Sequence, residues 1–366
     1  MELVVRKADL LRELQLLQGI VERKNTIPIL ANVLMEADGE SVTLLATDLE
    51  VGLRSQCPAS VAKKGALTLP AKKLYEIVKA LPDTDVRIQE EKNGVRVSAD
   101  RFDSRMSTLP RDEFPSLPDP SSTSTTLSGA SFRLMVSRTQ FAITGEDTRY
   151  FLNGAQFVLK GDSMTLVATD GHRLALVTCD RSEKDGADNK VILPRKTLIE
   201  LSRLLAEGGE TFSYERGENH LFFQVGERLL ISRVIDGQFP AYERVIPKGN
   251  DKRIEFERDR LTSAVRRVAL LSNERSRAVR FQMSDGQVEV TSSSPEFGEA
   301  KEVIPVEYGG AAMQICFNAQ YVLDFLSVAE TDAVALEFKD EMSQAVMKPV
   351  GAEGYDYTYV IMPMRI

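Results

Sequence analysis

The chain repeats itself three times, at a period of about 120 residues, and this constrains its fold more than any single motif does. Ala46-Thr47-Asp48 recurs without a gap, 122 positions later, as Ala168-Thr169-Asp170. Cys57 and Cys179 each follow their own copy's Ala by 11 residues, and Pro70-Ala71-Lys72-Lys73 recurs as Pro194-Arg195-Lys196-Thr197. Asp112-Glu113-Phe114-Pro115 matches Gly237-Gln238-Phe239-Pro240. A third copy is fainter, with Thr291-Ser292-Ser293 and Phe317-Asn318-Ala319-Gln320 at the corresponding places. Solenoid repeats span 20–50 residues, so each copy here is long enough to be a small domain. Repeated domains of this kind build curved or closed arrays.

With 366 residues, each copy has enough chain for its own core. The 43% hydrophobic and 27% charged fractions belong to a globular protein. No apolar run approaches the ~20 residues of a membrane span. The segment Met1-Glu2-Leu3-Val4-Val5-Arg6-Lys7 reads as a strand and lacks a signal-peptide pattern, so the expected location is the cytoplasm. Cys57 and Cys179 occupy equivalent places in different copies and are expected as buried, reduced thiols. Two histidines and no clustered cysteines leave little material for a metal site, and no cofactor is expected.

Within each copy, two helical segments alternate with strand-like runs. Leu10, Leu14 and Leu17 share one helix face, as do Phe132, Val136, Thr139 and Ile143 in copy two and Leu261, Val265 and Val268 in copy three. The second helices carry Leu74, Ile77, Val78 and Leu81; Leu198, Leu201 and Leu205; and Val322, Phe325, Leu326 and Ala329, with Pro70 and Pro194 a few residues ahead of the first two. Alternating runs such as Val42-Thr43-Leu44-Leu45, Val95-Arg96-Val97 and Met164-Thr165-Leu166-Val167 are punctuated by hairpin signals, among them Lys92-Asn93-Gly94 and Ser284-Asp285-Gly286. Each copy therefore reads as two β-α-β-β-β half-units, two helices backed by antiparallel sheet, in class α+β. The linkers Pro118–Thr126 and Pro247–Asp251 put the domains at 1–121, 122–247 and 248–366.

The net charge of −8 argues superficially against a polyanionic partner. Its distribution argues otherwise. Helical windows at 6–24, 71–80, 131–149, 195–207, 257–280 and 318–330 hold 21 basic and 13 acidic residues, so they net +8 and the remainder −16. Basic helices in an acidic protein suggest one face turned to nucleic acid.

The repeat, Arg149-Tyr150-Phe151-Leu152-Asn153-Gly154, the segment Ala168-Thr169-Asp170-Gly171-His172-Arg173-Leu174-Ala175 and the C-terminal Val360-Ile361-Met362-Pro363-Met364-Arg365-Ile366 together resemble one family over essentially the whole chain. It is the bacterial sliding clamp, the beta subunit of DNA polymerase III. The resemblance implies three similar domains per chain and two chains closed head to tail into a six-domain ring. Helices would line the hole and duplex DNA would pass through it, held without sequence readout. It implies no catalytic activity, and a role as polymerase tether. The implied partners are a second copy, DNA, the polymerase III alpha subunit, the clamp-loader delta subunit and complex, and other DNA polymerases, ligase and mismatch-repair proteins carrying clamp-binding peptides. No membrane partner is implied.

By the same resemblance, partner peptides enter a groove between the second and third domains. It would use Leu152, Thr169, Gly171, His172, Arg173 and Leu174; Pro240, Arg244 and Val245; and Asn318, Tyr321, Val346, Val360, Met362, Pro363, Met364 and Arg365. Apolar residues would wall the pocket, Met would adapt to varied partners, and His172, Arg173 and Arg244 would orient the peptide. Implied DNA contacts are Arg23, Lys24, Arg149, Tyr150, Arg195 and Lys196. The sequence departs from the family pattern at Phe151, where tyrosine is familiar, and at Glu146, where a neutral amide is. Implied ring seams set Lys72, Lys73 and Met106 of one chain against Leu270, Leu271, Glu299 and Glu302 of the next.

Two other classes remain to be weighed. An enzyme would centre on Asp170-Gly171-His172-Arg173, but the chain has no nucleophile elbow, P-loop or HExxH, and Ser60-Val61-Ala62-Lys63 matches an SxxK pattern without its companions. His220, the only other histidine, falls in a hairpin. A peptide-binding scaffold without DNA would keep the groove and lose the ring; net-acidic helices or a monomer would favour it.

Overall fold

Strand pairing carries the repeat into three dimensions. The computed structural model describes residues 1–21, 27–121, 124–145, 147–181 and 188–365. Copy one runs β1 (Glu2–Arg6), α1 (Lys7–Leu17), β2 (Asn32–Asp38), β3 (Ser41–Thr47), β4 (Val51–Pro58), β5 (Ser60–Lys63), β6 (Gly65–Pro70), α2 (Ala71–Ala80), β7 (Asp85–Glu91), β8 (Gly94–Ala99) and β9 (Phe102–Met106). Copy two runs β10 (Thr125–Ser128), α3 (Gly129–Thr139), β11 (Gly154–Leu159), β12 (Ser163–Thr169), β13 (Arg173–Asp180), β14 (Asn189–Pro194), α4 (Arg195–Ala206), β15 (Thr211–Arg216), β16 (His220–Val225) and β17 (Arg228–Arg233). Copy three runs β18 (Lys252–Glu257), α5 (Arg258–Ala269), β19 (Ala278–Ser284), β20 (Gln287–Ser294), β21 (Gly298–Pro305), β22 (Met313–Asn318), α6 (Ala319–Val328), β23 (Ala333–Phe338), β24 (Ala345–Pro349) and β25 (Tyr355–Ile361). Copies two and three are each two β-α-β-β-β half-units, as the sequence implies, and copy one differs only by the added β5.

The helix faces form because their apolar residues recur every three or four positions and have a sheet to cover. Leu10, Leu14 and Leu17 are fully buried, as are Phe132, Leu261, Val265, Leu198, Leu201 and Phe325. Helix ends are where the sequence windows overran. The 131–149 window stops at Thr139 and continues as a 3-10 turn, Gln140–Ala142. The 257–280 window stops at Ala269, and its last residues belong to β19. Pro70 is itself the N-cap of α2 rather than standing a few residues ahead of it. The six helices as observed carry 14 basic and 6 acidic residues, so their net charge is still +8.

The chain divides into two compact units, Met1–Phe132 with Lys196–Val234, and Arg133–Arg195 with Ile235–Ile366. The first contains a five-stranded sheet, β5-β1-β7-β8-β9, and an eight-stranded sheet, β10-β15-β16-β17-β4-β3-β2-β6. The second contains an eight-stranded sheet, β14-β11-β12-β13-β25-β24-β23-β18, and a four-stranded sheet, β21-β20-β19-β22. Both eight-stranded sheets join one copy to the next through a single antiparallel pair. Copy one meets copy two where β4 pairs β17, with Gly52 opposite Ile231. Copy two meets copy three where β13 pairs β25, with Leu174 opposite Val360.

In the first unit, a buried ion pair ties copy one's α1 to copy two's β17. Glu13 is 1% exposed and accepts two hydrogen bonds from Arg228, at 2.9 and 2.7 Å, plus one from Arg12 at 3.0 Å. Burial raises the Glu13 pKa, but Arg228 and Arg12 outweigh it and hold the carboxyl below its ordinary value. Cys57 and Cys179 are free and buried, as expected, and so is Cys316; burial pushes the Cys57 thiol up to about 12 and Cys179 up to about 11. Among the described residues, no helix is long and apolar enough to cross a membrane.

Candidate functional site

The recurring Thr-Asp pair builds the same turn twice. Thr169 Oγ1 donates to the Arg173 carbonyl (2.7 Å) and accepts from Gly171 N (3.1 Å), while Asp170 accepts from the backbone N–H of His172 and of Arg173. Copy one repeats each bond: Thr47 Oγ1 to the Val51 carbonyl, Leu49 N to Thr47, and Glu50 N and Val51 N to Asp48. The turn requires a left-handed residue, Gly171 at φ 88° in copy two and Leu49 at φ 78° in copy one. The carboxylate of Asp170 is thus a structural element of the turn.

The turn sits at one end of a row of side chains crossing four strands. Thr169 lies opposite Leu174, Leu174 opposite Val360, and Val360 opposite Val346. Directly opposed residues share a face, so four of the expected groove residues, far apart in sequence, lie side by side. Leu174, Val346 and Val360 belong to one apolar cluster with Val167, Ile192, Phe239 and Tyr242, edged by Phe151, Leu176, Ile235 and Ile246. Leu152 is buried at the end of the 3-10 turn Tyr150–Leu152. Pro240 accepts a hydrogen bond from Tyr242 N (2.7 Å), starting the 3-10 turn Tyr242–Arg244 that leaves Arg244 and Val245 exposed. The tail is pinned by its backbone: Met362 N donates to the His172 carbonyl (3.0 Å) and Met364 N to the Cys316 carbonyl (2.8 Å). Met362 and Arg365 are exposed, and Pro363 and Met364 half-buried.

One expected peptide-orienting residue, Arg173, and one further groove residue, Asn318, have their polar groups committed elsewhere. Arg173 donates to Asp170 (3.0 Å), Asp324 and the Phe141 carbonyl (2.7 Å), and its guanidinium stacks on Tyr321 (4.3 Å) and Phe141 (5.2 Å). Burial lowers its pKa, but Tyr359, Asp324 and Asp170 outweigh that and hold it above the usual value. Its side chain is an internal strut, in place of the peptide-facing donor the sequence suggested. Asn318 caps α6, its side-chain oxygen accepting from Gln320 N and Tyr321 N. Tyr321 in turn accepts at its carbonyl from Tyr359 Oη (2.9 Å), whose ring stacks on Phe325. His172 and Arg244 remain exposed at the rim.

Of the expected DNA contacts, Arg23 and Lys24 lie outside the described residues, as do Glu146 and the linker residues Ser122 and Thr123. Tyr150 and Arg195 meet at Asn153, which accepts at its carbonyl from Arg195 N and donates its backbone N–H to the Tyr150 carbonyl, while the Arg149 carbonyl accepts from Leu152 N. Tyr150 is 74% exposed. Arg149 forms a two-pronged pair with Asp147 (3.0 and 2.8 Å), and this holds the Asp147 carboxyl down to about 2. Lys196 points into the first unit, where it donates to the Ile20 carbonyl and pairs with Asp48. It is an internal tie rather than the open phosphate contact the sequence suggested.

Three of the expected seam residues lie on edge strands and the other four on or just after helices. Met106 ends β9, an outer strand of the five-stranded sheet, with Lys72 and Lys73 exposed on α2 and paired to Glu76. Glu299 and Glu302 lie on β21, an outer strand of the four-stranded sheet, where Glu302 pairs with Arg267. Leu270 caps α5 and is 79% exposed, with Leu271 beside it.

Sequence reasoning missed Gln156, which is buried among the groove cluster's strands. The ungapped 122-residue offset would have exposed it, because it sets Gln156 against Leu34.

Residues 1–118 match the family described as DNA polymerase III beta subunit, N-terminal domain; residues 126–241 match its central domain and residues 243–365 its C-terminal domain. The chain is 39% identical over 371 residues to the beta sliding clamp of Pseudomonas aeruginosa and 36% identical over 369 residues to that of Escherichia coli K12, each alignment covering 100% of both chains. Among solved structures, a sliding clamp from Pseudomonas aeruginosa bound to griselimycin superposes with a TM-score of 0.94 at 38% identity, and Caulobacter crescentus pol III beta with 0.94 at 36%, both over 100% of each chain.

Proposed function

The chain belongs to the bacterial sliding clamps, the beta subunits of DNA polymerase III, and on that premise we propose how its own residues carry out the work. It is a non-catalytic processivity subunit in DNA replication. Tethering keeps a polymerase at high effective concentration beside the primer end without any new active-site contact. Its helices, net +8 in an acidic chain, face duplex DNA through phosphate contacts that carry no sequence preference, with Arg149, Tyr150 and Arg195 among them.

The observation that carries the ring is topological. Inside the chain, the last strand of a copy's first half pairs with the last strand of the next copy's second half: β4 with β17, and β13 with β25. One strand of each kind is left over, β21 and β9, and each is the outer strand of its sheet. An unpaired edge is a template for another chain. A second copy supplies the missing β21–β9 pair at each of two seams, and two chains close a six-domain ring. Leu270, Leu271 and Met106 form the apolar centre of the seam, with Lys72, Lys73, Glu299 and Glu302 around it. Surface ion pairs such as Lys73–Glu76 and Arg267–Glu302 exchange partners at little cost, so the seam remains openable by a loader.

The row Thr169–Leu174–Val360–Val346, with the pinned tail, supports a groove for an extended, partly apolar peptide. Leu152, Pro240, Val245, Met362, Pro363 and Met364 wall it. His172, Arg244, Arg365 and the amide nitrogen of Asn318 meet polar groups at its rim, while Gly171, Arg173 and Tyr321 shape it from within. The finer partners are the polymerase III alpha subunit, the clamp-loader delta subunit and complex, and other polymerases, ligase and mismatch-repair proteins bearing such peptides. The domains end near residues 121 and 247, and the protein works in the cytoplasm at the nucleoid.

The test is fluorescence anisotropy of a labelled Gln-Leu-X-Leu-Phe peptide against the intact chain and a chain lacking 362–366. Saturable binding abolished by the truncation supports the groove; no binding by the intact chain removes it.

A further inference from the structure

One side chain beside the groove's apolar cluster is out of place by the chain's own standard. Gln156 is 2% exposed. It lies on β11 opposite Val167 of β12 and Ile192 of β14, both members of the cluster. Gly154, two residues earlier on the same face, is closely approached by Ile192 and Ile235, so this is the face covered by the segment leading to Pro240. The side-chain amide oxygen of Gln156 has no hydrogen-bond partner among the described residues.

The repeat supplies the control. Leu34, 122 positions earlier, holds the same register in copy one, opposite Leu45 and Thr68, and packs in an apolar cluster with Leu45 and Phe114. The fold therefore accepts leucine at this place, and an unpartnered buried amide oxygen is destabilising relative to it. Such a group in a native structure requires a reason. Packing supplies none here, whereas position does. Val167 is two residues along β12 from Thr169, so Gln156's row lies about 7 Å beyond the row that walls the groove. An aromatic anchor seated on Leu174 and Val360 with its long axis along β12 toward Val167 would bring a phenol or indole donor closer to that row than a phenyl ring reaches.

We propose that Gln156 is the polar floor of the groove's deep end, and that it selects partner peptides whose anchoring aromatic carries a hydrogen-bond donor, tyrosine or tryptophan, over those ending in phenylalanine. This rests on the groove assigned above. A donor-bearing anchor satisfies the amide, and a phenyl anchor seals it away from water unsatisfied.

The test compares two labelled peptides that differ only in a terminal Leu-Tyr or Leu-Phe, titrated by anisotropy into the wild-type chain, Gln156→Leu and Gln156→Met. Wild type is expected to favour the tyrosine peptide by about threefold to tenfold, and both variants to reverse that preference toward phenylalanine. Methionine nearly matches glutamine in volume and guards against a packing artefact, and both variants are expected to melt at or above the wild-type temperature. The same Tyr-to-Phe ratio in all three proteins overturns the proposal and leaves the groove standing. Failure of intact wild type to bind either peptide removes the groove and the proposal together.

Discussion

Removing Arg228 tests how copy one is fastened to copy two. Glu13 is 1% exposed and its partner's side chain 14%, so the pair is largely out of water. Removing one member of a buried pair costs about 3–5 kcal/mol, because the other charge is left uncompensated. Glu13 retains Arg12, whose side chain is 52% exposed, so Arg228→Met belongs at the lower end, about 3 kcal/mol, or roughly a hundredfold in a local opening equilibrium. The chain has no tryptophan, which makes hydrogen exchange read by mass spectrometry the suitable assay. Peptides covering 7–17 and 228–233 should exchange roughly a hundredfold faster in Arg228→Met, while those in the 313–361 region stay unchanged. Glu13→Leu with Arg228→Met should recover most of the loss, because an apolar pair leaves no stranded charge. The pH dependence follows from the direction of the shift. Glu13's folded pKa is held below its unfolded value, so its contribution is complete above about pH 4.3 and disappears as pH falls through the folded value. Exchange unaltered by Arg228→Met, or a double variant as loose as the single one, would refute the reasoning.

Other outcomes follow from the same geometry. Gly171→Ala places a side chain at φ 88° and should cost about 1 kcal/mol, since copy one tolerates Leu49 at φ 78° in the same turn; circular-dichroism melting measures it. Leu270→Asp puts a charge at the centre of the proposed seam and is expected to give a monomer in sedimentation velocity where the wild-type chain gives a dimer. Asp147→Asn frees Arg149, so DNA binding should tighten and its logarithmic salt slope steepen by up to about 0.9, read by anisotropy across salt concentrations.

The architecture was legible because its signals are local. Helix faces need only a spacing of three or four residues, and hairpins need only a turn flanked by alternation. Helix ends were not legible in the same way. Ile143 continues the apolar spacing of α3 and is buried, yet the backbone has already left the α-helix at Thr139, a difference that spacing alone does not carry. Ser60-Val61-Ala62-Lys63, weighed only as an SxxK motif, is β5, an edge strand on β1. Long-range partners were the other gap. Arg173 has the chemistry of a peptide clamp, but Asp324, 151 positions away, and the aromatic faces of Phe141 and Tyr321 use it as a strut. Lys196 is withdrawn in the same way by Asp48 and the Ile20 carbonyl. Gln156 was legible in principle, through the offset that pairs it with Leu34, because an internal repeat states which residue a position ordinarily takes.

A closed ring holds DNA by topology rather than by affinity. The most direct measurement loads labelled protein onto a nicked circular plasmid with a clamp loader, then cuts the plasmid once at near-physiological salt. Retention on the circle and prompt loss after the cut are expected, as the ring slides off the new end. Equal retention on circular and linear DNA would contradict it.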